Sequence, residues 1–275
     1  MKNRGEDITW CLRDRLTTVR PPLVMGILNI TPDSFHADSR KATVDAALRT
    51  AEQMLADGAS IIDIGGASTR PGAHEVPLDE ERARIVPVIT AIHQRFPGVC
   101  ISIDTWRSTI AAEAVAAGAS MVNDIGAGLL DEAMLDTVAT LQVPYVIMHM
   151  QGTPRTMQKE PKYKDVLAEV LHFLSVQARA ARQAGIADVI IDPGFGFGKD
   201  KTHNFTLLKG LPALKTLGVP VLAGLSRKRM INEVLGTTPA EALNGTTVLN
   251  VIALIAHADI LRVHDVNEAM QAVKL

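Results

Sequence analysis

The chain has 275 residues, 47% of them hydrophobic, and a formal net charge of -2 at pH 7, which excludes a disordered protein. This charge balance provides no basic field, so we expect neither nucleic acid nor a membrane surface among its partners. Because Cys11 and Cys100 lack a disulfide or zinc spacing and no apolar stretch is long enough to span a bilayer, we expect a cytoplasmic protein.

The N-terminal residues differ in pattern from the rest of the chain. Residues 1–20 contain the stretch "EDITWCLRDRLTTV", which predicts a short hairpin-like extension that closes the bottom of the fold. Residues 21–275 contain no linker and no low-complexity stretch. We therefore expect this second part to form one domain.

Apolar runs of strand length alternate with longer segments of helical period along residues 21–275. The predicted strands are 24–30, 60–64, 99–104, 121–124, 145–148, 189–192, 221–223 and 260–263. The predicted helices include 43–59, 79–95, 108–117, 131–141, 165–185 and 239–257. This alternation is typical of parallel βα units. Eight such units predict an α/β protein with a single (β/α)8 TIM barrel, and a doubly wound sheet is the alternative.

Polar side chains follow almost every predicted strand, on the face where barrels of this kind carry their sites. They are Asn29, Arg70, Asp104, Asn123, Asp192, Lys228, Arg262 and His264. Any single Asn or Asp here, and Asp124 as well, could be a turn residue or a helix N-cap. Caps do not require cations beside them, so the group as a whole predicts a binding site.

The chemistry of these side chains indicates the class of ligand. Neighbouring carboxylates and amides suit a flat heterocycle with several N–H donors, whereas Arg, Lys and His suit an anion. Asn29 adds an oxygen ligand for a hard cation, and Mg²⁺ needs few protein ligands where a diphosphate supplies others. The glycines at 194, 196 and 198 only superficially resemble a dinucleotide fingerprint, because their spacing is GxGxG rather than GxGxxG.

Eight motifs, in order, resemble those of the dihydropteroate synthase family from about residue 22 onward. They are "MGILNITPDSF", "GGASTRPGA", "SIDTWR", "VNDI", "MHMQGTP", "DPGFGFGK", "AGLSRKRMI" and "LRVHDV". The resemblance implies a TIM-barrel transferase of folate biosynthesis. It would move the 7,8-dihydropterin-6-ylmethyl group from its diphosphate to 4-aminobenzoate and release diphosphate. It also implies Mg²⁺ as cofactor and a homodimer with its contact on the late helices.

The same resemblance implies roles for individual residues. Those implied to hold the pterin are Asp104, Asn123, Asp192 and Lys228. Those implied at the diphosphate are Thr69, Arg262 and His264, with Asn29 at the Mg²⁺. Those implied around the aminobenzoate are Phe35, Arg70, Pro71 and Lys228. The group implied to take part in catalysis is Asp104, Lys228, Arg262 and His264.

The sequence also departs from the family pattern. Ala67 stands where the family has Glu, and Arg229 stands where it has Ser. Arg229 would lie either near the aminobenzoate carboxylate or in solvent. A methyltetrahydrofolate:corrinoid methyltransferase and a catalytically silent pterin-binding module are the alternative functions. The "STRPG", "SRK" and "RVHD" motifs argue against the methyltransferase, and retention of Asn29 and the three cations of the site argues against the silent module.

Overall fold

An antiparallel hairpin precedes the central sheet of the protein. The structure is a computed structural model that describes residues 7–13, 15–30, 37–67, 76–153, 156–157 and 161–275, with the backbone alone for 37–42. In the hairpin, β1 (Ile8–Leu12) pairs with β2 (Arg15–Val19). The hairpin expected from the sequence is therefore present, while the division into 1–20 and 21–275 stays a prediction.

Within the described residues, eight parallel strands form the central sheet. They are β3 (Leu23–Asn29), β4 (Ile61–Gly65), β5 (Cys100–Asp104), β6 (Met121–Asp124), β7 (Tyr145–Met148), β8 (Val189–Asp192), β9 (Leu222–Ala223) and β10 (Ile260–Val263). Their order in the sheet is β8-β7-β6-β5-β4-β3-β10-β9, and a parallel bridge between Ile191 and Val221 joins the two end strands. The sheet thus closes into the predicted (β/α)8 barrel, and the doubly wound alternative is wrong.

Helices follow the strands and cover the outside of the barrel. They are α1 (Ala37–Asp57), α2 (Leu78–Arg95), α3 (Ser108–Ala117), α4 (Met134–Leu141), α5 (Val166–Gln183), α6 (Lys201–Lys209), α7 (Arg229–Leu235), α8 (Leu243–Ile255) and α9 (Val266–Lys274), with a 3-10 segment at Leu211–Leu217. The main core lies between these helices and the outward side chains of the strands, because each helix buries its apolar face on the sheet. No helix in the described ranges is long and apolar enough to cross a membrane.

The observed ends of the elements agree closely with the predicted strands and less closely with the predicted helices. Each strand end lies within one residue of its predicted position. The helix predicted at 131–141 begins only at Met134, because the Asp131 carboxylate accepts hydrogen bonds from the backbone N–H of Ser108 and of Ala133. The helix predicted at 239–257 is shorter at both ends, Leu243–Ile255.

The hairpin closes the bottom of the barrel, where the strands begin. Trp10, only 2% exposed, packs with Leu12 in a second apolar cluster that also contains Met25, Ile61 and Met121 from the starts of barrel strands. The backbone N–H of Cys11 donates to Asp188 Oδ2 at 2.7 Å, just before β8. With this end filled by apolar side chains, the polar residues at the opposite strand ends form the accessible mouth.

Candidate active site

The carboxyl ends of the barrel strands bring the predicted polar residues to one level. Asn29 ends β3, Asp104 ends β5, and Asp192 ends β8. In the strand register, Gly65 lies beside both Asn29 and Asp104, and Asp104 lies beside Asn123. Since adjacent parallel strands are about 4.8 Å apart, these side chains share one small region of the mouth.

Arg262 lies at the centre of this region and holds two carboxylates. Its Nε donates to Asp63 Oδ2 at 2.7 Å, and its Nη2 donates to Asp104 Oδ2 at 2.6 Å. The amide of Asn123 also donates to Asp63 Oδ2, at 3.2 Å. Asp63 has no exposed surface, so it anchors both Arg262 and Asn123 from inside the barrel.

Asp63 is a site residue that the strand-end pattern does not single out. It lies inside β4, two residues before the strand ends, rather than in the loop that follows. The signal is present in the sequence, because a lone carboxylate in the apolar run "SIIDIGG" must find a buried partner. That partner, Arg262, is 199 residues away in the chain, and only the closed barrel brings the two together.

Three buried oxygens in this cluster face the barrel interior without a hydrogen-bond partner among the described residues. They are Asp63 Oδ1, Ser102 Oγ and Asp104 Oδ1. A buried acceptor without a partner costs about 1–3 kcal/mol, so such atoms are rare and need an explanation. Their grouping suits a ligand that presents several N–H donors at once.

Burial shifts the proton affinity of the two strand-end carboxylates in the same direction. Burial raises the pKa of Asp104 to about 7, although the positive charge of Arg262 opposes this shift. Burial also raises the pKa of Asp192, against a hydrogen bond from the backbone N–H of Gly194 at 2.7 Å and the nearby Lys228 charge. A bound ligand that donates hydrogen bonds to these two carboxylates would stabilise their charged forms.

Lys228 forms the cationic side of the same region. Burial and the charge of Arg262 lower the pKa of Lys228 to about 8, while Asp192 and Asp104 act in the opposite direction. Its Nζ lies 4.3 Å from the centre of the Phe197 ring, a distance typical of a cation–π contact. Lys228 therefore lies against an aromatic face, and the negative charges of two carboxylates act on it.

His264 follows β10, and its surroundings disfavour the charged form of its imidazole. Its backbone N–H donates to Ser226 Oγ at 3.2 Å, and its Nδ1 lies 2.9 Å from the same oxygen. The Ser226 hydroxyl therefore holds both the backbone and the imidazole ring of His264 in place. Burial and the charge of Arg262 lower the pKa of His264 to about 4. The prediction that His264 acts as a cation at the diphosphate stays a prediction, and a bound anion would favour the charged form of the ring.

Asp124 has a structural role, in contrast to Asp104. Its carboxylate accepts from the backbone N–H of Gly126 and of Gly128, both at 2.7 Å, and from the Tyr145 hydroxyl at 2.6 Å. These bonds hold the turn after β6, which is the turn-residue alternative considered for strand-end carboxylates. Asp104 instead pairs with Arg262 inside the barrel.

Arg229, one of the departures from the family pattern, faces solvent. It is the first residue of α7, and its side chain is 75% exposed. The guanidinium pairs with Glu233 one turn later, Nε to Oε1 at 2.6 Å. Of the two expected positions for Arg229, the structure therefore has the solvent-facing one.

The predicted residues Phe35, Thr69, Arg70 and Pro71 lie outside the described residues. The backbone on both sides of 68–75 is described and is held by arginines. Gly66 O accepts from Arg84 Nη1 and Val76 O accepts from Arg107 Nη2, each at 2.8 Å. Arg107 in turn pairs with the fully buried Glu81. Thus α2 and the start of α3 fix where that segment leaves and rejoins the barrel.

A metal at this mouth would have few protein ligands. No group of three or more His, Cys, Asp or Glu side chains in the described ranges could hold an ion. Asn29 is exposed. A Cβ built on Gly65 would lie 3.6 Å from Asn29 Oδ1 and 3.7 Å from Asp104 Oδ2. One accessible amide oxygen beside a carboxylate fits Mg²⁺ that takes its other ligands from substrate and water.

Comparisons with known proteins agree with one another. The model of the pterin binding enzyme family matches residues 25–264. Dihydropteroate synthase of Escherichia coli (strain K12) is 45% identical over 256 residues, 92% of this chain and 90% of that protein.

Solved structures give the same result. The Xanthomonas albilineans dihydropteroate synthase with 4-aminobenzoic acid superposes with a TM-score of 0.89 at 44% identity, over 98% of this chain and 97% of that one. The same enzyme in complex with 7,8-dihydropteroate superposes with a TM-score of 0.85 at 41% identity, over 97% of each chain. The expected family and activity are confirmed: the chain belongs to the pterin binding enzyme family and, within it, to the dihydropteroate synthases, which are transferases.

Proposed function

We propose that the buried acceptor cluster at the barrel mouth binds the pterin ring of (7,8-dihydropterin-6-yl)methyl diphosphate. The observation that carries this proposal is the set of unpartnered oxygens on Asp63, Ser102 and Asp104. The amino-pyrimidine edge of a pterin presents adjacent N–H donors, which match carboxylate acceptors in a dry site. Asp192 accepts from that edge, and Asn123 offers both an amide donor and an amide acceptor to the ring.

The diphosphate lies at the outer level of the same site. Arg262 and His264 lie two residues apart at the end of β10, and Asn29 ends the neighbouring strand β3. Thr69 is proposed to contact the same diphosphate. A dianion beside the neutral imidazole of His264 favours its protonated form, so the site gains positive charge where the leaving group acquires negative charge.

The second substrate, 4-aminobenzoate, occupies the outer side of Lys228. Phe35, Arg70, Pro71 and Lys228 are proposed to frame it, and the Phe197 ring that holds Lys228 supports that position. A flat aromatic acid needs apolar faces and a cation at its carboxylate. The proposal thus places the amine toward the pterin methylene and the carboxylate toward solvent.

The chemistry needs no covalent intermediate on the protein. The bond between the methylene carbon and the diphosphate oxygen breaks, and its electron pair leaves with the diphosphate. The amine nitrogen of 4-aminobenzoate bonds to that carbon and then loses a proton. Positive charge on the methylene spreads into the ring, where the carboxylates of Asp104 and Asp192 stabilise it. The chain therefore contributes orientation, charge and exclusion of water.

The experiment that tests this function follows diphosphate release and pteroate formation together. We expect 7,8-dihydropteroate and diphosphate in equal amounts when both substrates are present. Methyl transfer from methyltetrahydrofolate to a corrinoid protein should be absent. Pterin binding without product would instead support the silent module, and no diphosphate release with both substrates would contradict the proposal.

Mg²⁺ is the proposed cofactor, with Asn29 as its ligand from this chain. When bound, the ion neutralises charge that develops on the departing diphosphate. We expect excess chelator to abolish product formation and added Mg²⁺ to restore it. As a check that does not depend on activity, calorimetric binding of Mg²⁺-diphosphate should weaken about tenfold in Asn29→Leu, since one oxygen ligand is lost. Full activity in excess chelator would contradict the metal requirement.

Binding of diphosphate should drive proton uptake by His264. Its pKa of about 4 in the free site rises when an anion arrives, so the bound form holds more protons near pH 7. The sign follows: affinity for diphosphate should increase as pH falls from 8 to 6. Calorimetry in buffers of different ionisation enthalpy measures the uptake. The same proton count in His264→Asn, which keeps an acceptor for the Ser226 hydroxyl, would contradict this assignment.

We further propose a homodimer through α7 and α8. Val248, Val251, Ile252 and Ile255 form an exposed stripe at helical spacing on α8, and Ile255 is 74% exposed. Exposed apolar side chains at positions 234 and 235 on α7 extend it. A contiguous apolar face of this kind marks an interaction surface.

The dimer is expected to dissociate when a charge enters this stripe. Val251→Glu should sediment as a monomer at micromolar concentration, because a carboxylate without a partner would be buried in the contact. Val176→Glu, at another exposed valine on α5, is the matched control and should stay dimeric. A parent protein that sediments as a monomer would contradict the homodimer.

A further inference from the structure

Lys199 is a buried cation that the proposed reaction leaves without a role. Its residue is only 2% exposed, and it lies directly after the glycine-rich loop that follows β8. Its Nζ contacts Gly194 O at 2.9 Å, Phe197 O at 3.0 Å and His149 Nδ1 at 2.8 Å, with His149 O at 3.3 Å. Among the described residues its Nζ forms no salt bridge, although the negative charge of Asp192 favours its charged form. A buried ammonium whose partners are carbonyls and an imidazole costs folding free energy. This cost indicates that the contacts serve a function.

The contacts of Lys199 join two neighbouring loops. Gly194 and Phe197 belong to the loop after β8, whereas His149 directly follows β7. The two backbones touch: a Cβ on Gly194 would lie 1.9 Å from His149 O, and one on Gly198 would lie 2.5 Å from Gln151 O. Both glycines also have positive φ, so the backbone conformation and the close approach each require glycine at these two positions. Lys199 lies at the junction and ties the two loops together.

The tied loop bears directly on two site residues. The backbone N–H of Gly194 donates to Asp192 Oδ1 at 2.7 Å and thereby orients the carboxylate. Phe197 presents its ring to Lys228, and a Cβ on Gly196 would lie 3.2 Å from Lys228 Cδ. A shift of this loop would therefore move Asp192 and Lys228 at the same time.

We propose that Lys199 is a positioning residue for the transfer reaction, which it serves by fixing the loop after β8 onto His149 so that Asp192 and Lys228 keep their places. The inference rests on the proposed roles of those two residues. Lys199 contacts the loop backbone rather than the reacting atoms, so its effect passes through the loop.

The hydrogen-bond pattern fits the ammonium form of Lys199, although burial lowers the pKa of Lys199 to about 7 against the negative charge of Asp192. An ammonium has three N–H donors, which match Gly194 O, Phe197 O and His149 Nδ1. His149 must then accept at Nδ1 and be neutral, and burial together with the Lys199 charge lowers the pKa of His149 to about 3. Residue 149 must therefore offer a hydrogen-bond acceptor to Lys199.

The first test removes the ammonium. In Lys199→Met we expect kcat/KM for the pterin diphosphate to fall about 100-fold, because a displacement of about 1 Å at a reacting site has that effect. The rate is expressed per folded protein, measured from the fraction folded in the same buffer. Lys209→Met, an exposed lysine at the end of α6, is the matched control and should behave as the parent protein. A fall confined to thermal stability, with kcat/KM within threefold of the parent, would overturn the proposal.

The second test separates the charge and the acceptor from general packing. Lys199 lines a cavity together with Gly196 and Asn204, and we expect propylammonium to restore the activity of Lys199→Ala at least tenfold. His149→Asn, which keeps an acceptor, should stay within fivefold of the parent, whereas His149→Leu should lose at least tenfold. If Lys199→Met fails to fold, the comparison of His149→Asn with His149→Leu still tests the proposal. Equal activity of the two His149 variants would overturn the proposal. An inactive parent protein would instead contradict the proposed function.

Discussion

Replacing Asp192 by asparagine should weaken pterin binding at least about 100-fold. Asp192 is a buried carboxylate at the end of β8, and it is proposed to accept paired N–H bonds from the pterin edge. Asparagine keeps the size of the side chain but loses the charge and places an N–H opposite donors. A charge-assisted pair lost in this way costs about 3 kcal/mol, which corresponds to about 100-fold in affinity. Calorimetric titration with 6-hydroxymethyl-7,8-dihydropterin, which lacks the diphosphate, measures ring binding alone.

The matched control is Asp188→Asn, the same substitution just before the start of β8. Asp188 accepts the backbone N–H of Cys11 at the bottom of the barrel, so its loss should affect the hairpin and leave pterin affinity unchanged. Unchanged affinity in Asp192→Asn would show that this carboxylate serves only the turn at Gly194. Equal losses in both variants would show that the effect is general destabilisation of the barrel.

Replacing Asp63 by asparagine should impair both stability and activity. Asp63 is fully buried and accepts from Arg262 and Asn123. Replacing one of the two carboxylates that pair with Arg262 leaves its buried charge compensated by Asp104 alone, so we expect the free energy of unfolding to fall by about 3 kcal/mol. We also expect kcat/KM to fall about 100-fold, because Arg262 would lose its alignment at the site. Urea denaturation and the diphosphate-release assay measure the two quantities.

The double variant Asp63→Leu, Arg262→Met separates the two effects. Apolar side chains in place of a buried ion pair often restore stability, and Asp104, whose pKa burial already raises to about 7, can become neutral once the charge of Arg262 is removed. The double variant should therefore unfold at a higher urea concentration than Asp63→Asn. It should remain inactive, because the guanidinium proposed at the diphosphate is gone. Substantial activity in the double variant would mean that the Asp63–Arg262 pair serves the fold alone.

The outcome for the strand-end residues shows where local pattern suffices. Asp104 and Asp124 end neighbouring strands and look alike in sequence, yet Asp124 bonds to its own turn and Asp104 bonds to Arg262. The glycines whose backbone N–H groups bond to Asp124 lie two and four residues later in the chain, and the stretch "NDIGAG" contains both. The partner of Asp104 lies 158 residues away, so no local pattern could assign it.

The protonation state of the site histidine also could not be predicted from the sequence. A histidine in "RVHDV" next to Arg262 and Asp265 gives no clue to its charge. Burial and Arg262 lower the pKa of His264, and both causes depend on how deeply the end of β10 lies in the mouth. Lys199 is similar, because "GFGK" reads as an exposed loop lysine until the loop folds over it.

The sequence by itself determined the class of fold, the eight strands and the edge at which the polar residues meet. These follow from the period of apolar residues and from the rule that parallel strands end on one face, and both are local properties of the chain. Only the tertiary structure decided which of those residues touch. Closure of the barrel brings β4 and β5 to β10, so Asp63 and Asp104 share Arg262, and it presses the loop after β8 onto His149 around Lys199. Contacts between distant segments depend on the register and closure of the whole sheet, which short-range patterns do not contain.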